Sequence, residues 1–112
     1  MEGKMDMASA SNEDIKIRVI VFKDGDQWVA QCLEYDIGAQ SSDLDDLNER
    51  LFVVLKAELR ESLEHGGKPF EGIEPAPKRF EMMWDRRVRS IKPVTETSWA
   101  KEPVSLDFAF AA

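Results

Sequence analysis

The stretch from 43 to 65, DLDDLNERLFVVLKAELRESLEH, limits the fold more than any other part of the chain. Leu44, Leu47, Leu51, Val54, Leu55, Leu59 and Leu63 recur at spacings of three and four, which is the single apolar stripe of an amphipathic helix. Ser42 is the expected N-cap, with Asp45 at the third helical position as a short capping box. Asp43, Asp45 and Asp46 fall in the first turn, where the helix dipole favours negative charge. Gly66 and Gly67 end the helix, and Pro69 enforces the stop. Phe52 sits at the edge of the stripe, where a second helix or another subunit can meet it. A helix with one apolar face needs a second layer to bury that face.

The residues before it supply a sheet. In IKIRVIVFK, residues 15 to 23, Ile15, Ile17, Val19 and Val21 form one apolar face. The other face, Lys16, Arg18, Ile20 and Phe22, turns apolar only at its end, so the strand has one buried face and one half-covered face. Asp24-Gly25-Asp26 reads as a tight turn, with Gly25 free to take a positive φ. Residues 27 to 33, QWVAQCL, return as the second strand of a hairpin. Residues 37 to 41, IGAQS, form a shorter third strand after the turn at Glu34-Tyr35-Asp36.

Beyond the main helix, residues 68 to 79 are a loop with three prolines, anchored by Phe70 and Ile73. The spacing of Phe80, Met83, Trp84, Val88 and Ile91 predicts a second helix over 77–89. Residues 92 to 103 read as linker, and Val104, Leu106, Phe108 and Phe110 alternate as a closing strand. The expected fold is α+β: a small antiparallel sheet in the order β-β-β-α-α-β, with its helices on one face. Residues 1 to 13 are polar and aperiodic and read as a flexible tail, and 14 to 112 as a single domain.

Charge and composition narrow the function. The 15 Lys and Arg against 22 Asp and Glu leave a net charge of −7. That sign disfavours nucleic acid as a partner of the whole domain and suits a basic protein partner. The single cysteine, Cys32, allows no internal disulfide and no paired-cysteine metal site. No apolar run is long enough to span a membrane, and 1 to 14 lack the apolar core of a signal peptide, so the expected address is the cytoplasm.

Four groups have side chains capable of chemistry. His65, the only histidine, closes the main helix and reads as a capping residue. Cys32 alternates with Trp28 and Ala30 on an apolar face and reads as core; a nucleophile needs His65 brought beside it as base. Asp36, Asp43, Asp45, Asp46 and Glu49 cluster in sequence, either as the ordinary start of a helix or as a surface for a basic partner. Paired carboxylates can also hold a hard metal, but the alternating calcium-loop order is absent, and no motif calls for a metal or cofactor. Arg86, Arg87, Arg89 and Lys92 form a basic run that fits a solvated face or subunit contact, or alternatively phosphates of RNA or DNA. Its one interleaved aromatic, Trp84, belongs to the apolar stripe, whereas Trp99 suits a sheet edge or a neighbouring subunit.

The block DGDQWVAQCLEYDIGAQSSDLDDLNERLFVVLKAEL resembles the HicB-like antitoxin domain. The likeness lies in a hairpin whose second strand opens on an aromatic, Trp28-Val29-Ala30, then a short third strand and a helix start at Ser42-Asp43-Leu44-Asp45-Asp46-Leu47. It covers about residues 15 to 65. Typical members carry a proline-rich turn ending in cysteine, where this chain has Leu33-Glu34-Tyr35-Asp36-Ile37-Gly38. Many also carry a DNA-binding part, and none is recognisable after residue 66, so the chain is similar to stand-alone members of unknown function. The resemblance implies a β-β-β-α core of double-stranded-RNA-binding or partial RNase H shape and a homo-oligomer, dimer or tetramer. It further implies a non-catalytic module that blocks a small basic, mRNA-cutting toxin of the HicA type. RNase H catalysis itself is not expected, because the strands carry Lys16, Arg18, Gln27 and Gln31 at their polar positions. A small-ligand or metal-dependent enzyme using the acidic cluster and Cys32 is the alternative of another class.

Overall fold

The computed structural model describes residues 15–90, 94–96 and 104–112. The expected tail at 1–13, most of the linker, Lys92 and Trp99 lie outside the described residues. Among the described residues, six strands and two helices follow in the order β1 (Ile15–Asp24), β2 (Gln27–Cys32), β3 (Gly38–Ser41), α1 (Leu44–Glu64), α2 (Lys78–Asp85), β4 (Arg89–Ser90), β5 (Val94–Glu96) and β6 (Val104–Phe110). All six strands belong to one sheet ordered β3-β2-β1-β6, with β4 and β5 both on the far side of β6.

The fold is α+β as expected, but two finer expectations fail. The sheet is mixed rather than antiparallel, because β6 lies beside β1 in parallel, from Ile15 opposite Val104 to Val21 opposite Phe110. The helices lie on opposite faces rather than on one. The second departure has its cause in β1, which is apolar on both faces at its C-terminal half. A strand of that kind belongs in the middle of a sheet with cover on each side.

On the first face, Leu47, Leu51, Leu55 and Leu59 of α1 pack over Ile17, Val19 and Val21 of β1, Ala30 and Cys32 of β2, and Val104, Leu106 and Phe108 of β6. Each of these buried leucines contributes about 2 kcal/mol. Leu44 and Leu63, at the ends of the same stripe, remain partly exposed. On the second face, Ile20, Leu33 and Ala109 form a smaller apolar patch covered by Phe80 and Trp84 of α2. Phe22 joins it, its ring 6.0 Å from that of Phe80.

Local geometry follows the chemistry of the turns. Gly25 takes φ 64 in the two-residue turn between β1 and β2. The N-cap of α1 is Asp43, not Ser42: its side chain accepts from the Asp46 N–H, and Asp46 occupies the third helical position. A carboxylate is the stronger acceptor for that donor, and Ser42 one residue earlier is exposed. His65 closes the helix, its N–H donating to Glu61 and its Nδ1 lying 2.9 Å from the Glu61 carbonyl. Phe70 anchors the loop as expected. It is buried, takes φ 61, stacks on Tyr35 at 4.7 Å, and donates its N–H to Ser62 Oγ.

The second helix is shorter than its periodicity predicts. It stops at Asp85, Val88 is 68% exposed, and the chain enters β4 at Arg89. The segment read as linker holds a strand, β5, paired with β6.

Candidate groove beside the third strand

The acidic residues do not form one cluster. Asp36 precedes β3, and Asp43, Asp45, Asp46 and Glu49 follow it, so the strand separates them by about 13 Å. Asp36 is tied into the β2–β3 turn: its Oδ1 accepts from Gln31 Nε2 at 3.0 Å, and its N–H donates to the Glu74 carbonyl. Asp43 is spent on the helix cap. Asp45 and Glu49 are exposed on α1. Among the described residues no three His, Cys, Asp or Glu side chains come together as a metal site.

Asp46 and Glu49 do share a feature that sequence reasoning missed. They stand with Arg50, Val53 and Val54 on one wall of a groove of about 540 Å³, whose other wall is Ala39 and Gln40 of β3. The groove exists because β3 is the last strand of the sheet and α1 crosses beneath it. Its floor is apolar, and Val53 is 62% exposed there. A chain of polar contacts bounds it. Ser41 Oγ donates to Asp46 Oδ2 at 2.9 Å, the same oxygen meets Arg50 Nε at 2.7 Å, and Arg50 Nη1 donates to the Gln40 carbonyl at 3.1 Å. Arg50 therefore stands over the outer edge of β3. A charged side chain placed so is a common guard against unwanted strand pairing.

Among the described residues the basic run spans the end of α2 and the start of β4. Arg86 caps the C-terminus of α2 and is exposed. Arg87 donates to the Trp84 carbonyl at 3.0 Å, with its guanidinium 4.6 Å from the Trp84 ring centre. Arg89 begins β4. Trp84 is buried, so it offers these arginines no exposed ring for stacking bases.

Cys32 and His65 do not meet as nucleophile and base. Cys32 is fully buried in the core under α1, and burial pushes its thiol up to about 12. His65 is at the exposed end of α1, where the Glu61 backbone and carboxylate raise its pKa. A second hollow beside it is walled by Glu58, Glu61 and Glu71, all at least partly exposed.

On the other face, Arg18 joins three elements. Its Nε and N–H both reach Glu34, at 2.6 and 2.7 Å, and its two terminal nitrogens reach Glu81 of α2 at 2.7 and 3.1 Å. The carboxylates hold this guanidinium firmly in its charged form, the hydrogen bonds that it donates to Glu81 contributing most. These pairs fix α2 on the sheet. Among the described residues no helix is long and apolar enough to cross a membrane. Comparison of the chain with family models, with curated proteins and with solved structures found no match.

Proposed function

We propose that this protein is a non-catalytic protein-binding module of the HicB-like type, which oligomerises and neutralises a small basic partner, in the manner of an antitoxin acting on an RNA-cutting toxin. The observation that carries this reading is the groove beside β3, apolar in its floor and lined by Asp46 and Glu49, with the exposed Asp45 one helical turn before Glu49 on α1. A surface of that kind offers an apolar centre to bury and a charged rim to steer a cationic protein. The net charge of −7 acts in the same direction at long range. The succession of a three-stranded meander followed by a long helix agrees with the β-β-β-α core that the resemblance implies.

The test is capture of partners from the native cell with the wild-type chain and with the Asp45→Lys/Glu49→Lys variant. Both side chains are exposed, and no hydrogen bond ties either to the fold among the described residues. A basic protein retained at low salt by the wild type, and held at least about tenfold less by the variant, supports the reading. Retention that ignores both the charge reversal and the salt concentration removes the groove from the function. Size-exclusion chromatography with light scattering measures the oligomer.

A further inference from the structure

We infer that the outer edge of β3 receives an extended, lysine- or arginine-rich segment of a partner protein as an additional strand of the sheet. This rests on the protein-binding reading and names the element that the partner presents.

The ladder shows which backbone groups face outward. The Cys32 N–H donates to the Ile37 carbonyl across the gap between β2 and β3. In an antiparallel ladder every second pair is bonded. With Ala30 opposite Ala39 and Trp28 opposite Ser41, those pairs turn towards each other, and Gly38 and Gln40 turn their N–H and C=O away from β2. Arg50 confirms the parity, because it meets the Gln40 carbonyl from outside. Among the described residues no hydrogen bond reaches the outward N–H of Gly38 or Gln40, and both residues are exposed. Once Arg50 is drawn aside from the Gln40 carbonyl, such an edge is a template for pairing.

The side-chain environment selects the occupant. Apolar residues of an added strand meet Val53 and Val54, and its long cationic residues extend to Glu49 at the rim. Arg50 is already balanced by Asp46, which leaves the carboxylate of Glu49 as the net charge of the groove lining. A second copy of this chain brings the same acids to the same seam on a body that also carries −7, which opposes pairing of β3 with itself. A basic segment is attracted instead.

The probe is a blocked octapeptide, Thr-Val-Thr-Lys-Thr-Val-Thr-Lys, whose valines and lysines share the side that faces α1, added to the isotope-labelled full chain and followed by amide chemical shifts. Two twins accompany it: one with glutamate for lysine, and one N-methylated throughout, which has no backbone donors. The expected result is a set of shifts centred on Gly38–Ser41 and Val53–Val54, with the lysine peptide bound at least about tenfold tighter than either twin. Gln40→Pro removes an outward donor without touching the pairing to β2, and weakens binding several-fold. Arg50→Ala uncovers the Gln40 carbonyl and tightens it. Absence of shifts at β3, or equal binding of the N-methylated twin, overturns the inference. Concentration-dependent shifts of β3 without peptide also overturn it, because they assign the edge to a second copy. A captured partner that responds to Asp45→Lys/Glu49→Lys but ignores Gln40→Pro rejects strand addition and leaves the protein-binding reading standing.

Discussion

Arg18 of β1 grips Glu81 of α2 with two parallel hydrogen bonds, of 2.7 and 3.1 Å, across a sequence gap of 63 residues. The pair is the polar seam beside the apolar contacts of Phe80 and Trp84, and it sets where α2 sits on the sheet. Bidentate pairing is the strong form of such a bond, but the two side chains are 35% and 48% exposed, so water screens much of it. Arg18→Ala is expected to lower stability by about 1 kcal/mol, and Glu81→Ala by less, because Arg18 also serves Glu34. Urea unfolding of the two variants and their double checks this: coupling appears as a double-variant loss smaller than the sum.

The cap of α1 gives a sharper choice. Asp43→Ala is expected to cost about 1 kcal/mol, and Ser42→Ala close to nothing, because only Asp43 receives the Asp46 N–H. Equal losses at the two positions in thermal unfolding would contradict the observed cap.

Phe70 is among the largest fully buried side chains, and its ring stacks on Tyr35. Phe70→Ala is expected to cost about 3–5 kcal/mol. The check is the shift in urea midpoint, read at constant slope so that it reports stability alone.

Cys32 should behave as a core residue. Its thiol is raised from the ordinary 9.0 to about 12 by burial, with Glu34 adding to it. The folded protein is expected to resist alkylation at pH 8, while the urea-unfolded chain reacts fully. The sign for stability follows from the raised value. The contribution is complete below about 9, and it is lost as the pH rises towards 12, because the unfolded thiol ionises first.

His65 carries a pH dependence of the same sign in a lower window. Its pKa is raised above 6.5, first by the hydrogen bond with the Glu61 backbone and then by the Glu61 charge. Whatever it adds to the end of α1 is present in full below 6.5 and is lost as the pH rises through the folded value. Titration by proton NMR is expected to show the raised value, and Glu61→Gln to move it part of the way back.

Much of this architecture was legible because it is periodic. The leucine stripe gave α1 to within a residue at each end, and alternation gave β1, β2 and β6. The failures are of two kinds. Strands as short as Arg89–Ser90 and Val94–Glu96 have no period to read, and pairing with β6 alone defines them. The neighbours of a strand are likewise not written in its own residues. The apolar pair Ile20 and Phe22 announced that β1 needed cover on both faces, yet only the position of β6 made the sheet mixed. The groove was hidden for the same reason: Asp46 and Glu49 stood out in sequence, while Gln40, Arg50 and Val53 matter only because β3 ends the sheet.

The parallel seam between β1 and β6 joins residues nearly ninety positions apart, from Ile15 with Val104 to Val21 with Phe110. During synthesis the β1–β2–β3 meander and α1 can assemble on their own, but the middle of the sheet has no second neighbour until the last strand has left the ribosome. Closing so wide a loop is entropically slow. Until β6 arrives, the edge of β1 that takes Val104–Phe110 stays open, so closure of this one seam sets when the central strand is complete.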